Sequence, residues 1–365
     1  MPPKFYISAE IQIENIGDEL INLVLISSLL KLGDVHVFSG RMPDWYRARI
    51  KSRSEGNQSS IELSNNKFSF IADLIFCSLF SRRRSFIVLT PGDRTSRIDQ
   101  NSRQNTILNL LCQLFGCRVI CLGASYQAIP ASEVRLLKNW SPSDTQPVVR
   151  DQHSVAILTK HDINAQLAPD ISVLHNVKIE GNYSRKKIAI VFRDRGETQF
   201  QKHIRLIESL KEIVQEKGEY CEIVLFSQVE FDREYSRKLS DATSVRFEEI
   251  DLASRARIDT VERFYSQSAF VFSNRLHALL LGGFAGACPL AFVPSDEKKI
   301  RGVFDDLNIQ NQLLDSDEED KEQLRQLLSP NEREDMLAGF GCAKIAAARR
   351  LEHRLKNLPS SAKVD

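Results

Sequence analysis

The chain has 365 residues, with 49 Lys and Arg against 48 Asp and Glu and a formal charge of +1. That balance excludes a dedicated nucleic-acid surface, which shows as a basic surplus, and leaves room for a local basic pocket around an anionic substrate. Hydrophobic residues make up 42% and charged residues 27%, an ordinary globular composition in a chain long enough for two domains.

The opening, MPPKFYISAEIQ, has no sustained apolar core of the secretory kind. The most apolar stretches, INLVLISSLL and FIADLIFCSLF, fall short of the roughly 20 residues that a spanning helix needs. A soluble, cytoplasmic protein is expected, with peripheral contact at the inner face of a membrane left open. Cys77, Cys112, Cys117, Cys121, Cys221, Cys288 and Cys342 are seven, mostly in apolar runs, without zinc spacing. They read as buried free thiols in a reducing compartment. His153 and His161 have no partner at ligand spacing, so no metal site is expected.

In chain order, short runs rich in Val, Ile and Phe alternate with longer amphipathic stretches, the pattern of an α/β protein with parallel sheets. Strands are expected at KFYISAE, DVHVFSG, SFIVLTP, CRVICLGA and PVVRD, with helices at DELINLVLISSLLKLG and NTILNLLCQLFG. The second half repeats the rhythm. Its strands are KKIAIVFRD, CEIVLFS, VRFEEID, AFVFSN and PLAFVP, and its helices FQKHIRLIESLKEIVQEKG, TVERFYSQ and RLHALLLGGFAGA. The polar stretch HNVKIEGNYSRK separates the halves, giving an N-terminal domain over 1–178, a C-terminal domain over 179–328 and a helical tail over 329–365. The expected architecture is two Rossmann-like domains facing a central cleft, where ligands bind beyond the carboxyl ends of the strands.

Four segments carry the chemistry. In AFVFSNRLHALLLGGFAGACPLAFVP, a cap at Asn274 would put Arg275 and His277 in the first turn of a helix, where unpaired N–H groups and the dipole favour an anion. Arg can grip phosphate or carboxylate through two parallel hydrogen bonds, and a neighbouring His can move a proton. From spacing alone, His277 as a core histidine and Arg275 as an ion-pair member remain equally open. Arg193, Asp194 and Arg195 follow the strand KKIAIV and fit ligand binding or a braced loop. Asn15, Gly17 and Asp18 form a turn that by itself reads as helix capping. Arg150, Asp151 and Ser154 lie between a strand and a helix, and Pro169-Asp170 lead towards a further strand. No dinucleotide fingerprint, Walker loop or nucleophile elbow is present. The acidic run DSDEED reads as a solvated loop. SRRRS reads the same way, or as a contact for anionic lipid or a lipid-linked sugar diphosphate.

These segments in this order resemble the polysaccharide pyruvyl transferase family. The resemblance rests on Asn15, Gly17 and Asp18; on Arg150, Asp151 and Ser154 with Pro169 and Asp170; and on Arg193. It continues through Arg275, Leu276, His277, Gly286 and Pro289 to Lys298 or Lys299 and Gly302. The chain departs from the family pattern at AEIQIE, where a glycine-rich segment is usual, and at the reduced glycine loop LGASYQAIP. The resemblance implies a GT-B-like fold and transfer of pyruvate from phosphoenolpyruvate to sugar hydroxyls as a ketal, in surface polysaccharide biosynthesis. It assigns Arg193, Arg275 and Lys298 to the donor, Asn15 and Gly17 to the acceptor, and proton transfer to His277 with Asp18. The acceptor would be a sugar or a lipid-linked oligosaccharide, and no cofactor is implied. A GT-B glycosyltransferase using a nucleotide sugar, or a non-catalytic partner in polysaccharide assembly, shares the same fold-level features.

Overall fold

The computed structural model describes residues 2–80, 84–95, 98–141, 146–177, 185–217, 222–252, 254, 257–318 and 320–358. They form two compact units. One holds residues 1–13, 18–174 and 347–365, and the other 14–17 and 175–346.

The first unit runs β1 (Lys4–Ser8), α1 (Ile16–Leu30), β2 (Asp34–Phe38), α2 (Asp44–Lys51), β3 (Ile61–Ser64), α3 (Lys67–Phe80), β4 (Ser85–Leu89) and β5 (Gly92–Asp93). It continues through α4 (Ile98–Phe115), β6 (Arg118–Ser125), α5 (Ala131–Trp140), β7 (Val148–Val149), α6 (Gln152–Thr159) and β8 (Gln166–Leu167). Its sheet has the order β3-β2-β1-β4-β6-β7-β8, with β5 beside β6. Every pairing is parallel, so each strand needs a crossover helix, and sheets built this way are covered on both faces. Phe5, Ile7, Val35, Val37 and Val119 are accordingly buried. Each such side chain contributes about 1.5–3 kcal/mol on burial.

The second unit runs β9 (Lys187–Val191), α7 (Glu197–Lys217), β10 (Glu222–Phe226), α8 (Arg233–Thr243), β11 (Arg246–Glu248), α9 (Arg257–Ser266) and β12 (Ser268–Ser273). Next come α10 (Leu276–Phe284), β13 (Cys288–Val293), α11 (Lys299–Leu307), β14 (Leu313–Asp315), α12 (Lys321–Leu327) and α13 (Pro330–Asn357). Its sheet order is β11-β10-β9-β12-β13-β14, again parallel throughout. Read from its own first strand, this is the Rossmann order 3-2-1-4-5-6, with the reversal between β9 and β12. Close approach of α10 explains two of its glycines. A Cβ on Gly282 would stand 2.6 Å from Val271 of β12, and one on Gly283 would stand 2.4 Å from Phe340 of α13.

The structure alters several expectations. The chain passes between units at Leu174–His175, and residues 178–184, at the expected boundary, lie outside the described residues. The expected tail is helical but is no separate body: residues up to 346 group with the second unit and the rest with the first. After Pro169-Asp170 comes a single 3₁₀ turn, Ile171–Leu174, instead of a strand. There Asp170 accepts a hydrogen bond from the Ser172 amide at 2.9 Å, which holds the backbone in a turn.

Candidate functional site

In the second unit, β9 and β12 pair side by side at the topological switch point, and one side chain ties the ends of the two strands together. Asn274 accepts a hydrogen bond from the Arg193 amide at 2.7 Å and donates one to the Arg193 carbonyl at 3.0 Å. It is therefore not the helix cap. Arg275 occupies that position with extended backbone, and its own amide donates to Ser273 Oγ at 2.9 Å. His277 sits in the first turn of α10, half-buried.

Arg275 is held by Asp232, which lies just beyond β10. The carboxylate takes Nε and Nη2 side by side, the second at 2.6 Å. This engages two of the five N–H donors of the guanidinium. Arg275 is thus a member of an ion pair, one of the readings that spacing left open. Burial pushes the Asp232 carboxyl above the ordinary carboxylate range, against the opposing pull of Arg275 and Arg193. Arg193 itself is exposed, and Asp194 beside it accepts from the Gly196 amide at 2.8 Å, bracing the loop. Phe192, which precedes Arg193, belongs to an aromatic cluster of the core. His203 of α7 stacks on Phe192 at 3.8 Å and bonds Tyr235 Oη through Nδ1 at 2.7 Å.

The N-terminal motif joins the same edge. Residues 14–17 group with the second unit: Asn15 bridges Val229, the Ile16 amide donates to the Gln228 carbonyl, and the Glu230 amide donates to the Glu14 carbonyl. Asn15 caps α1 by accepting from the Gly17 amide at 3.0 Å. A Cβ on Gly17 would stand 2.5 Å from His277 Nδ1, so only glycine fits there. Asp18 lies in the first turn of α1, half-buried, and groups with the first unit. Lys298 is exposed at the start of α11, which follows β13. The structure therefore gathers Asn15, Gly17, Arg193, Arg275, His277 and Lys298 in segments that follow, or pair beyond, the carboxyl ends of β9, β10, β12 and β13.

Arg150, Asp151 and Asp170 belong to the first unit, where they make contacts within the fold. Arg150 pairs with Asp170 at 2.7 Å, both fully buried. Asp151 caps α6 by accepting from the Ser154 amide at 2.7 Å. The one grouping of potential metal ligands among the described residues is His36, Glu62 and Asp73. The Lys4 ammonium lies 2.7 Å from Glu62 and 2.8 Å from Asp73, so it already supplies the cation. Those residues surround the start of β1, opposite the strand ends where ligands bind. A cavity of about 380 Å³ in the first unit, lined by residues that include Leu122, Gln166 of β8, Leu351 and Leu355, lies beside β8. Of SRRRS, residues 81–83 lie outside the described residues, as does Cys221.

Sequence reasoning missed Asp232 and the strand-bridging role of Asn274. The loop QVEFDRE after the strand CEIVLFS was a usable signal, because a carboxylate just past a parallel strand stands at the ligand edge.

Two Rossmann-like units with parallel sheets, one bearing an arginine- and histidine-lined strand edge, define the GT-B-like class of α/β proteins. Within that class the chain belongs to the polysaccharide pyruvyl transferase family, whose sequence model matches residues 15–295. No curated protein matches it. Among solved structures it is similar to UDP-GlcNAc 2-epimerase of Neisseria meningitidis bound to UDP-GlcNAc, with 12% identity, TM-score 0.54, and 96% of this chain and 99% of that one covered. It also resembles HepE of Anabaena in complex with UDP-glucose, with 10% identity, TM-score 0.57, and 98% and 100% covered. Trehalose 6-phosphate synthase of Burkholderia multivorans is similar at 9% identity and TM-score 0.56, with both chains fully covered. At these identities the likeness establishes the fold, which hosts several chemistries.

Proposed function

We propose that the chain transfers pyruvate from phosphoenolpyruvate to two hydroxyls of a sugar, forming a ketal and releasing phosphate, in the building of a surface polysaccharide. The observation that carries this reading is the cationic edge at the β9/β12 switch point, where Arg193 and the Asp232-held Arg275 flank the helix start bearing His277. Phosphoenolpyruvate presents a phosphate and a carboxylate, and a pair of arginines answers both. Lys298, past the neighbouring strand, adds a third cation.

In the reaction, the methylene carbon gains a proton while the first sugar hydroxyl adds to the adjacent carbon and gives up its own. Phosphate then departs, the second hydroxyl adds to the same carbon, and its proton passes to the released phosphate. His277 and Asp18 are assigned the proton transfers, the cations stabilise the departing phosphate, and Asn15 and Gly17 border the acceptor. The acceptor is a sugar or a lipid-linked oligosaccharide, handled at the cytoplasmic face of the membrane.

The test is thermal stability with phosphoenolpyruvate and, separately, with UDP-glucose, for the native chain and for Arg193→Ala. A ligand that binds only the folded state raises its stability. Stabilisation by phosphoenolpyruvate that Arg193→Ala loses supports the proposal, completed by acceptor-dependent phosphate release. Stabilisation by UDP-glucose alone would replace it with a nucleotide-sugar reaction, the ligand class seen in the Anabaena neighbour.

A further inference from the structure

Nine large hydrophobic side chains are well exposed among the described residues, and seven of them lie on two neighbouring helices of the first unit. On α3, Phe68 is 84% exposed, Phe76 62%, Leu79 51% and Phe80 73%; on α4, Ile107 is 44% exposed, Leu110 55% and Leu114 60%. Of the fourteen residues of α3 only Leu74 is buried. Phe76, Leu79 and Phe80 recur at helical spacing, as do Ile107, Leu110 and Leu114, so each helix carries an outward apolar stripe. The helices pack together and precede the adjacent strands β4 and β6, which makes the two stripes one face. Contiguous patches of this kind mark interaction surfaces, whereas isolated exposed leucines do not.

The exposed charges described beside the patch are mostly basic. Lys67, Arg103 and Arg118 are exposed at its margins, and Arg84 lies just ahead of β4. The single carboxylate of α3, Asp73, is turned away to Lys4, His36 and Tyr6, and residues 102–118 contain no Asp or Glu. Ser78 Oγ lies 3.3 Å from Cys117 Sγ, which fixes the end of α3 beside Arg118. A chain of +1 overall therefore presents a local basic rim around phenylalanine and leucine.

We infer that the α3–α4 face docks the protein on an anionic lipid bilayer. Phenylalanine and leucine enter the boundary between headgroups and acyl chains, and the lysine and arginines meet the headgroup phosphates. A second copy of the chain is a poorer occupant, because a self-complementary contact would set Lys67, Arg103 and Arg118 against their own counterparts. The inference deepens the reading of an acceptor handled at a membrane and does not depend on the identity of the donor.

The test is co-sedimentation with vesicles of phosphatidylcholine, with and without phosphatidylglycerol, in the absence of any substrate. Native protein should bind the anionic vesicles, release as salt rises, and leave the neutral ones largely unbound. Phe76→Ser with Phe80→Ser should lower the bound fraction about tenfold or more, with an unchanged thermal midpoint because both rings are exposed. Absence of native binding, or undiminished binding by the double variant, overturns the inference. So does a native dimer that the double variant dissociates, which would make the face a contact between copies. None of these outcomes bears on phosphoenolpyruvate binding, so the transferase reading is tested apart.

Discussion

Gly17 lies against the imidazole of His277 so closely that a Cβ on the glycine would come within 2.5 Å of Nδ1 and 2.9 Å of Cγ. Two motifs about 260 residues apart in sequence thus meet, and the glycine of one is explained by the histidine of the other. In an exposed helix, Gly→Ala would stabilise by roughly 0.5–1 kcal/mol. Here the added methyl must displace His277 or the start of α1. Gly17→Ala should therefore lower stability and, under the proposed role of His277 in pyruvyl transfer, cut turnover of phosphoenolpyruvate by about 100-fold, since misplacing a reacting group by an ångström has that order of effect. Phosphate-release kinetics and a thermal midpoint check both. A more stable, fully active variant would mean that His277 has room to spare.

Asp232 grips Arg275 along one edge and fixes the plane of its guanidinium. Removing one member of a buried pair typically costs about 3–5 kcal/mol. Arg275 retains some exposure, and asparagine can still accept a hydrogen bond, so Asp232→Asn should cost less, about 1–3 kcal/mol. Donor affinity, read by titration with phosphoenolpyruvate, should weaken about tenfold as the guanidinium loses its orientation. Tighter binding in the variant would show that Asp232 competes with the donor for Arg275.

Most of the architecture was legible because parallel strands, buried on both faces, read as short apolar runs. KFYIS, SFIVL, KIAIV and CPLAFV all fall where expected. Elements without that signature escaped. β3, with its partly exposed IELS, and β14, three residues long, have too little apolar sequence to stand out. α3 has an apolar sequence and yet lies mostly exposed, so hydrophobicity there did not report a core. At the site, the strand-end positions of Arg193 and Arg275 followed from the α/β rhythm. The Asp232–Arg275 pair, the Asn274 bridge and the approach of Gly17 to His277 are long-range contacts that local spacing does not encode.

Arg150 is a motif residue whose partner lies within its own unit. Its guanidinium meets Asp170 at 2.7 Å with both side chains fully buried, at the point where β7 ends. Arg150→Ala would leave the buried Asp170 carboxylate without its guanidinium, although the Ser172 amide still donates to it, costing about 3–5 kcal/mol. Turnover per folded molecule should stay within about twofold of native, because both partners of the pair belong to the first unit while Arg193, Arg275 and His277 belong to the second. Urea midpoints with turnover corrected for the folded fraction decide the matter. A large loss of turnover in a stable variant would return Arg150 to the chemistry.

Acid should cost the fold stability through His203 at a pH where ordinary carboxylates are still ionised. Burial, helped by the charge of Lys202, pushes the His203 ring down to about 3, whereas an unfolded histidine titrates near about 6.5. The unfolded chain therefore takes up a proton that the folded one refuses. This group's contribution is complete above about pH 6.5 and is lost as pH falls towards 3, with a slope of at most about 1.4 kcal/mol per pH unit. Protonation would also disrupt the stack on Phe192, the residue next to Arg193. His203→Gln keeps a side-chain partner for Tyr235 but cannot titrate. It should be less stable than native at pH 7.5, and its stability should fall less steeply between pH 6.5 and 4. Urea unfolding at four pH values gives both curves. Parallel curves would assign the acid sensitivity to other groups and leave His203 a packing residue only.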